Sequence, residues 1–116
     1  FTAAKEAEGV MVIGCDVDQY DDGANGDNNV VLTSGLKVMH DTVYNVLNEV
    51  KNGSFKGANV TLTASTDSTG YVSAEGRCQL SADAISKIDA AQADLKAGKI
   101  VPAANFNGIT PETFTW

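Results

Sequence analysis

The sequence predicts an α/β fold built on a mainly parallel sheet, and three observations carry that expectation. Val10 to Cys15 is an unbroken run of apolar or small residues, the pattern of a strand covered on both faces. A helix-favouring segment, Phe1 to Glu8, enters that run through one tight turn at Gly9, which is the αβ half of a βαβ repeat. Farther on, a second strand-like run leads into an amphipathic helix, so strands and helices alternate. In such sheets ligands bind beyond the carboxyl ends of the strands, which makes Asp16 and Asp18 site candidates.

At 116 residues the chain is one domain or part of one. Eight Lys and Arg against 15 Asp and Glu give a net charge of −7. That balance argues against a nucleic-acid partner or an anionic membrane surface. No apolar run is long enough to span a bilayer, and the first residues lack the pattern of a signal peptide. The headless helix at Phe1 reads as internal to something longer. Cys15 and Cys78 make neither a disulfide framework nor a metal-binding pair. Cys15, inside the apolar run, reads as core packing, while a bridge between the two stays open.

After the first strand comes the acidic loop DVDQYDDGANGDNN, then a short buried strand over Val30 to Ser34. Leu36 to Asn52 carries Leu36, Met39, Val43, Val46, Leu47 and Val50 at helical spacing and ends at Gly53. Asn59 to Ala64 alternates apolar and polar residues, as a half-exposed strand does. Ser65 to Gly76 is Ser-, Thr- and Gly-rich and reads as a loop, with a strand around Tyr71 to Ser73. Ser81 is an N-cap, and the helix Ala82 to Ala97 closes at Gly98. Lys99 to Pro102 fits a short edge strand. The α/β lobe therefore spans residues 1–102, and the tail 103–116, with Phe106, Phe114 and Trp116, is expected to pack on a lobe or partner surface.

The acidic loop first suggests calcium, because a hard cation needs clustered carboxylates. The EF-hand spacing fails, however: counting from Asp16 places Tyr20 at position 5 and Asp27 at position 12. No metal site is expected. His40, the single histidine, lies in a helical segment without catalytic or ligating partners, and no nucleophile elbow, zinc motif or phosphate loop occurs. No catalysis and no cofactor are expected. What remains is Asp16 with Lys37. Adjacent parallel strands would bring the two to one sheet edge, where a carboxylate accepts and an ammonium donates hydrogen bonds to neighbouring hydroxyls. An unremarkable surface ion pair is the competing explanation.

The ordered segments VIGCDVDQ (Val12 to Gln19), VVLTSGLK (Val30 to Lys37), VYNVLNEVKNGSFKG (Val43 to Gly57) and IDAAQADLKAGKIVP (Ile88 to Pro102) resemble the C-terminal part of the basic membrane protein family. These are substrate-binding lipoproteins of bacterial ABC transporters and include purine nucleoside receptors. Cys15 stands where the family usually has Val, and Leu62 to Gly76 aligns only loosely. The resemblance implies a three-layer sandwich forming the second lobe of a type I periplasmic-binding-protein-like fold. It also implies an extracytoplasmic bacterial lipoprotein, anchored outside this chain, that closes on a nucleoside-like solute and passes it to an ABC permease. The ligand residues implied are Asp16, Lys37, Asp18 and Gln19, with Asp16 and Lys37 holding the sugar. Of the carboxylates, Asp16 is favoured as the one nearer the strand end. A lobe lacking its sheet neighbours is expected to self-associate. The alternative from another class is a small calcium-stabilised or catalytic α/β domain using the acidic loop 16–28.

Overall fold

The structure, a computed structural model, describes residues 1–102. The expected packing of Phe106, Phe114 and Trp116 lies outside the described residues. The chain is a small mixed α/β domain. Helix α1 (Thr2–Glu6) leads into strand β1 (Val12–Asp16), followed by a 3-10 turn at Tyr20–Gly23 and a tight hairpin of β2 (Ala24–Asn25) and β3 (Asn28–Asn29). Strand β4 (Val31–Lys37), helix α2 (Met39–Lys51), a 3-10 turn at Ala64–Thr66, strand β5 (Thr69–Tyr71) and helix α3 (Ala82–Lys96) complete it.

The main sheet has the order β1-β4-β5. β1 runs parallel to β4, whereas β5 is antiparallel to it, so the sheet is mixed rather than mainly parallel. β4, flanked on both edges, is the best-buried element: Val31 is 0% and Ser34 1% exposed. β1 is an edge strand, and Ile13 is 67% exposed. The expectation that Val10 to Cys15 is covered on both faces is therefore corrected. Its apolar composition is real, but no described element lies over Ile13. Cys15 is likewise exposed and, like half-buried Cys78, a free thiol.

The second strand extends to Lys37, so that residue ends β4 instead of opening the next helix. α2 starts only at Met39. Its apolar stripe is present, yet Met39, Val43, Leu47 and Val50 are each more than half exposed, so the stripe faces solvent and not the sheet. The strand expected over Asn59 to Ala64 does not form. Local hydrogen bonding competes with a ladder there: the Thr63 amide donates to Thr66 Oγ1, and that hydroxyl donates back to the Thr63 carbonyl. The edge strand expected at Lys99 to Pro102 is absent for a related reason. The Lys99 and Ile100 amides both donate to the Asp94 carbonyl, which continues the end of α3. The helix α3 itself forms as expected, with Ser81 Oγ accepting the Ala84 amide at 3.2 Å. Tyr71 ties it to β5 by donating its hydroxyl to Asp89 Oδ1 at 2.6 Å, a bond that pushes the phenol up to about 12.

β1 and β4 approach closely because Gly14 has no side chain. A Cβ at that position would lie 2.3 Å from Ser34 Oγ and 3.1 Å from Gln19 Cβ. Gly14→Ala should therefore destabilise the domain by about 1–3 kcal/mol through overpacking. Gly57, whose added Cβ would meet nothing within 4 Å, serves as the control. Equal thermal midpoints for Gly14→Ala and Gly57→Ala would contradict this account of the strand contact.

Candidate functional site

The parallel register places Asp16 beside Leu36, one residue before Lys37. The two strands thus end together, and Lys37 Nζ lies 2.8 Å from Asp16 Oδ1. Lys37 and Asp16 remain 65% and 48% exposed, so the pair is open to a ligand. Each holds the other's charge. The hydrogen bond and charge of Lys37 keep the Asp16 carboxyl below its usual value, and Asp16 raises the Lys37 ammonium in the same way.

The backbone at Asp16 is unusual. Its φ is +72°, and the Val17 amide donates to the Cys15 carbonyl across it at 2.9 Å. An i to i+2 bond around a left-handed residue is the rarer, strained hand of the γ-turn. Asp tolerates that region better than most residues. The turn ends β1 abruptly and sends the next residues away from the sheet edge. The γ-turn centred on Asp16 keeps Asp16 and Asp18 from lying two apart on one extended segment, where they would share a face. The Cys15 thiol, 3.6 Å from Asp16 Oδ1, also lies at this turn.

Asp18 is engaged within the protein. Its Oδ1 accepts the Tyr20 amide at 3.0 Å, and its Oδ2 pairs with Arg77 Nε. The Arg77 fork continues to Asp21, with Nη1 and Nη2 each 3.1 Å from a carboxylate oxygen, and its guanidinium sits 5.5 Å from the Tyr20 ring centroid. Gln19 is also structural: its Oε1 accepts the Cys15 amide at 2.8 Å, and its own amide donates to Ser34 Oγ at 3.1 Å. Gln19 therefore folds the loop back onto β1 and β4, while Arg77 latches it to the segment preceding α3.

Arg77 escaped the sequence reading because it lies in a segment with no clear periodicity. The available signal was compositional: it is the only arginine in the chain, beside an acidic loop in need of a cation. His40 is on the surface, 3.2 Å from Asp41. Among the described residues no group of three or more His, Cys, Asp or Glu is arranged to hold a metal ion. A calcium ion in the acidic loop would have to displace Lys37 from Asp16 and Arg77 from Asp18 and Asp21. No family model and no curated protein matches the sequence.

The latch has a pH signature. Arg77 holds the Asp18 carboxyl below its ordinary value of 3.8. A carboxyl depressed in the folded state stabilises the fold above the unfolded value, and that contribution is lost as the pH falls through the folded one. Arg77→Ala should lower the thermal midpoint at neutral pH, and the gap from wild type should narrow below about pH 4. A gap that stays constant down to about pH 2 would show that Asp18 is not what Arg77 stabilises.

Proposed function

We propose that this chain is the second lobe of an extracytoplasmic solute receptor of the basic membrane protein family, with α2 and α3 on opposite faces of a larger sheet in a three-layer sandwich. The receptor binds a purine nucleoside by cleft closure, without catalysis, and presents it to an ABC permease. The observation that carries this reading is the exposed Asp16–Lys37 pair, 2.8 Å apart where two parallel strands end. A vicinal diol fits that pair, since Asp16 can accept both hydroxyl protons while Lys37 donates to an oxygen. The motif segments VIGCDVDQ and VVLTSGLK, which resemble the family, are the ones that fold into this edge.

Isothermal titration of the intact receptor against a nucleoside panel tests the reading. Asp16→Ala should weaken ribonucleoside binding by at least about thirtyfold, because two hydroxyls lose a charged acceptor. Asp18→Ala should act mainly on stability. No binding to any nucleoside alongside clear binding of an unrelated solute would remove the ligand assignment; wild-type affinity in Asp16→Ala with a large loss in Asp18→Ala would move the site to the other carboxylate.

The same reading implies that the lobe, taken alone, hides its open surfaces against another copy. The motivation is the exposed stripe of α2 together with β1, whose outer edge pairs with no strand among the described residues. Light scattering on the 116-residue chain at micromolar concentration should report a dimer or larger species. A monodisperse, cooperatively melting monomer would contradict this.

A further inference from the structure

We infer that Thr69 is a third ligand-contacting residue of the Asp16–Lys37 site, taking the one ribose hydroxyl that the ion pair leaves unbound. The inference rests on the nucleoside reading above and extends it from the diol to the 5′-hydroxyl.

The placement comes from the ladder on the far side of β4. Thr69 is the register partner of Lys37 in the antiparallel β4–β5 pair. Residues directly opposite in such a pair project to the same face, with Cβ atoms about 4.5–5.5 Å apart. Asp16 reaches Lys37 from the other neighbour, β1. Three adjacent strand ends, their backbones roughly 4.8 Å apart, thus carry a carboxylate, an ammonium and a hydroxyl in that order.

The surrounding bonds single out Thr69 within its hydroxyl-rich segment. Thr63 and Ser65 hydroxyls bond each other at 2.8 Å, and those of Thr66 and Ser68 do the same. Asp67 is held by Lys96 Nζ at 2.5 Å. Among the described residues, of the hydroxyls from Thr63 to Thr69 that of Thr69 alone enters no hydrogen bond, and the residue is exposed. Its backbone is nevertheless fixed, since the Val38 amide donates to the preceding Ser68 carbonyl at 2.9 Å. The side chain is therefore free on a rigid support, the arrangement a specific contact requires.

The chemistry selects the partner. A purine ribonucleoside carries three hydroxyls, and a diol on Asp16 and Lys37 uses two. The third is the 5′-hydroxyl, a neutral group that both donates and accepts, as a threonine hydroxyl does. A 5′-phosphate would find no unpaired cation here, because Lys37 is neutralised by Asp16. The site accordingly favours nucleosides over nucleotides.

The test is isothermal titration of the intact receptor with adenosine and guanosine, each beside its 5′-deoxy analogue, for wild type, Thr69→Val and Thr69→Ser. Thr69→Val should weaken nucleoside binding by about tenfold, and Thr69→Ser should restore most of it. Wild type should bind the 5′-deoxy analogues about tenfold more weakly than the nucleosides, with no further loss in Thr69→Val. Wild-type affinity in Thr69→Val, or an equal loss on the 5′-deoxy analogues, would overturn the role of Thr69 while leaving the nucleoside reading in place. Wild-type protein that binds neither nucleoside would overturn both. Were Thr69→Val to fail to fold, the wild-type comparison decides alone: equal affinity for the nucleosides and their 5′-deoxy analogues would overturn the inference.

Discussion

The structure depends on one close contact, the parallel approach of β1 to β4 at Gly14 and Ser34. Ser34 is almost wholly buried and its hydroxyl lies where any side chain at position 14 would need to be. That hydroxyl is also the acceptor for the Gln19 amide, and Gln19 in turn accepts from Cys15. One small residue thus lets two strands meet and lets the loop between them fold back. The meeting of the strands brings their carboxyl ends level and so creates the Asp16–Lys37 pair. Without the contact at Gly14, neither the pair nor the loop return would have a fixed geometry.

The loop divides its carboxylates between two tasks. Arg77 pairs with Asp18 and Asp21 in a partly covered latch, whereas Asp16 meets Lys37 in the open. The turn that separates them is strained at Asp16, where φ is positive in a residue other than glycine. Such outliers persist only when their surroundings hold them, and they concentrate where a side chain must be aimed. Here the surroundings are the Gln19 bonds on one side and the strand ladder on the other. The strain sits on the carboxylate that meets Lys37 in the open.

Much of this arrangement was legible in the residues. The apolar run before Asp16, the run Val30 to Ser34 and the capped helix from Ala82 are each marked by local pattern, and the parallel pairing of the two runs brings Asp16 and Lys37 together, although Lys37 closes β4 where the pattern put it in the next helix. The parts that were not legible depend on partners distant in sequence or on competing local bonds. Arg77 meets Asp18 across 59 residues, a relation that no spacing rule encodes. Asn59 to Ala64 alternates like a strand, but Thr63 and Thr66 satisfy their own backbone first. β5 was placed two residues late, since Thr69 carries no apolar signal and is in the strand because Lys37 lies opposite it. The helical spacing of Met39, Val43, Val46, Leu47 and Val50 shows in α2 without Leu36, which belongs to β4, and the described residues provide nothing that buries most of that stripe.

The central claim is that Asp16 and Lys37 together hold the vicinal hydroxyls of a ribose. For the proposed reading, the most direct measurement is a crystal structure of the intact protein with a bound purine ribonucleoside. The account predicts both ribose diol oxygens within about 3.2 Å of the Asp16 carboxylate or the Lys37 ammonium, with Asp18 still on Arg77. A ribose held elsewhere in the cleft, with the Asp16–Lys37 pair intact and out of reach of the ligand, would contradict it.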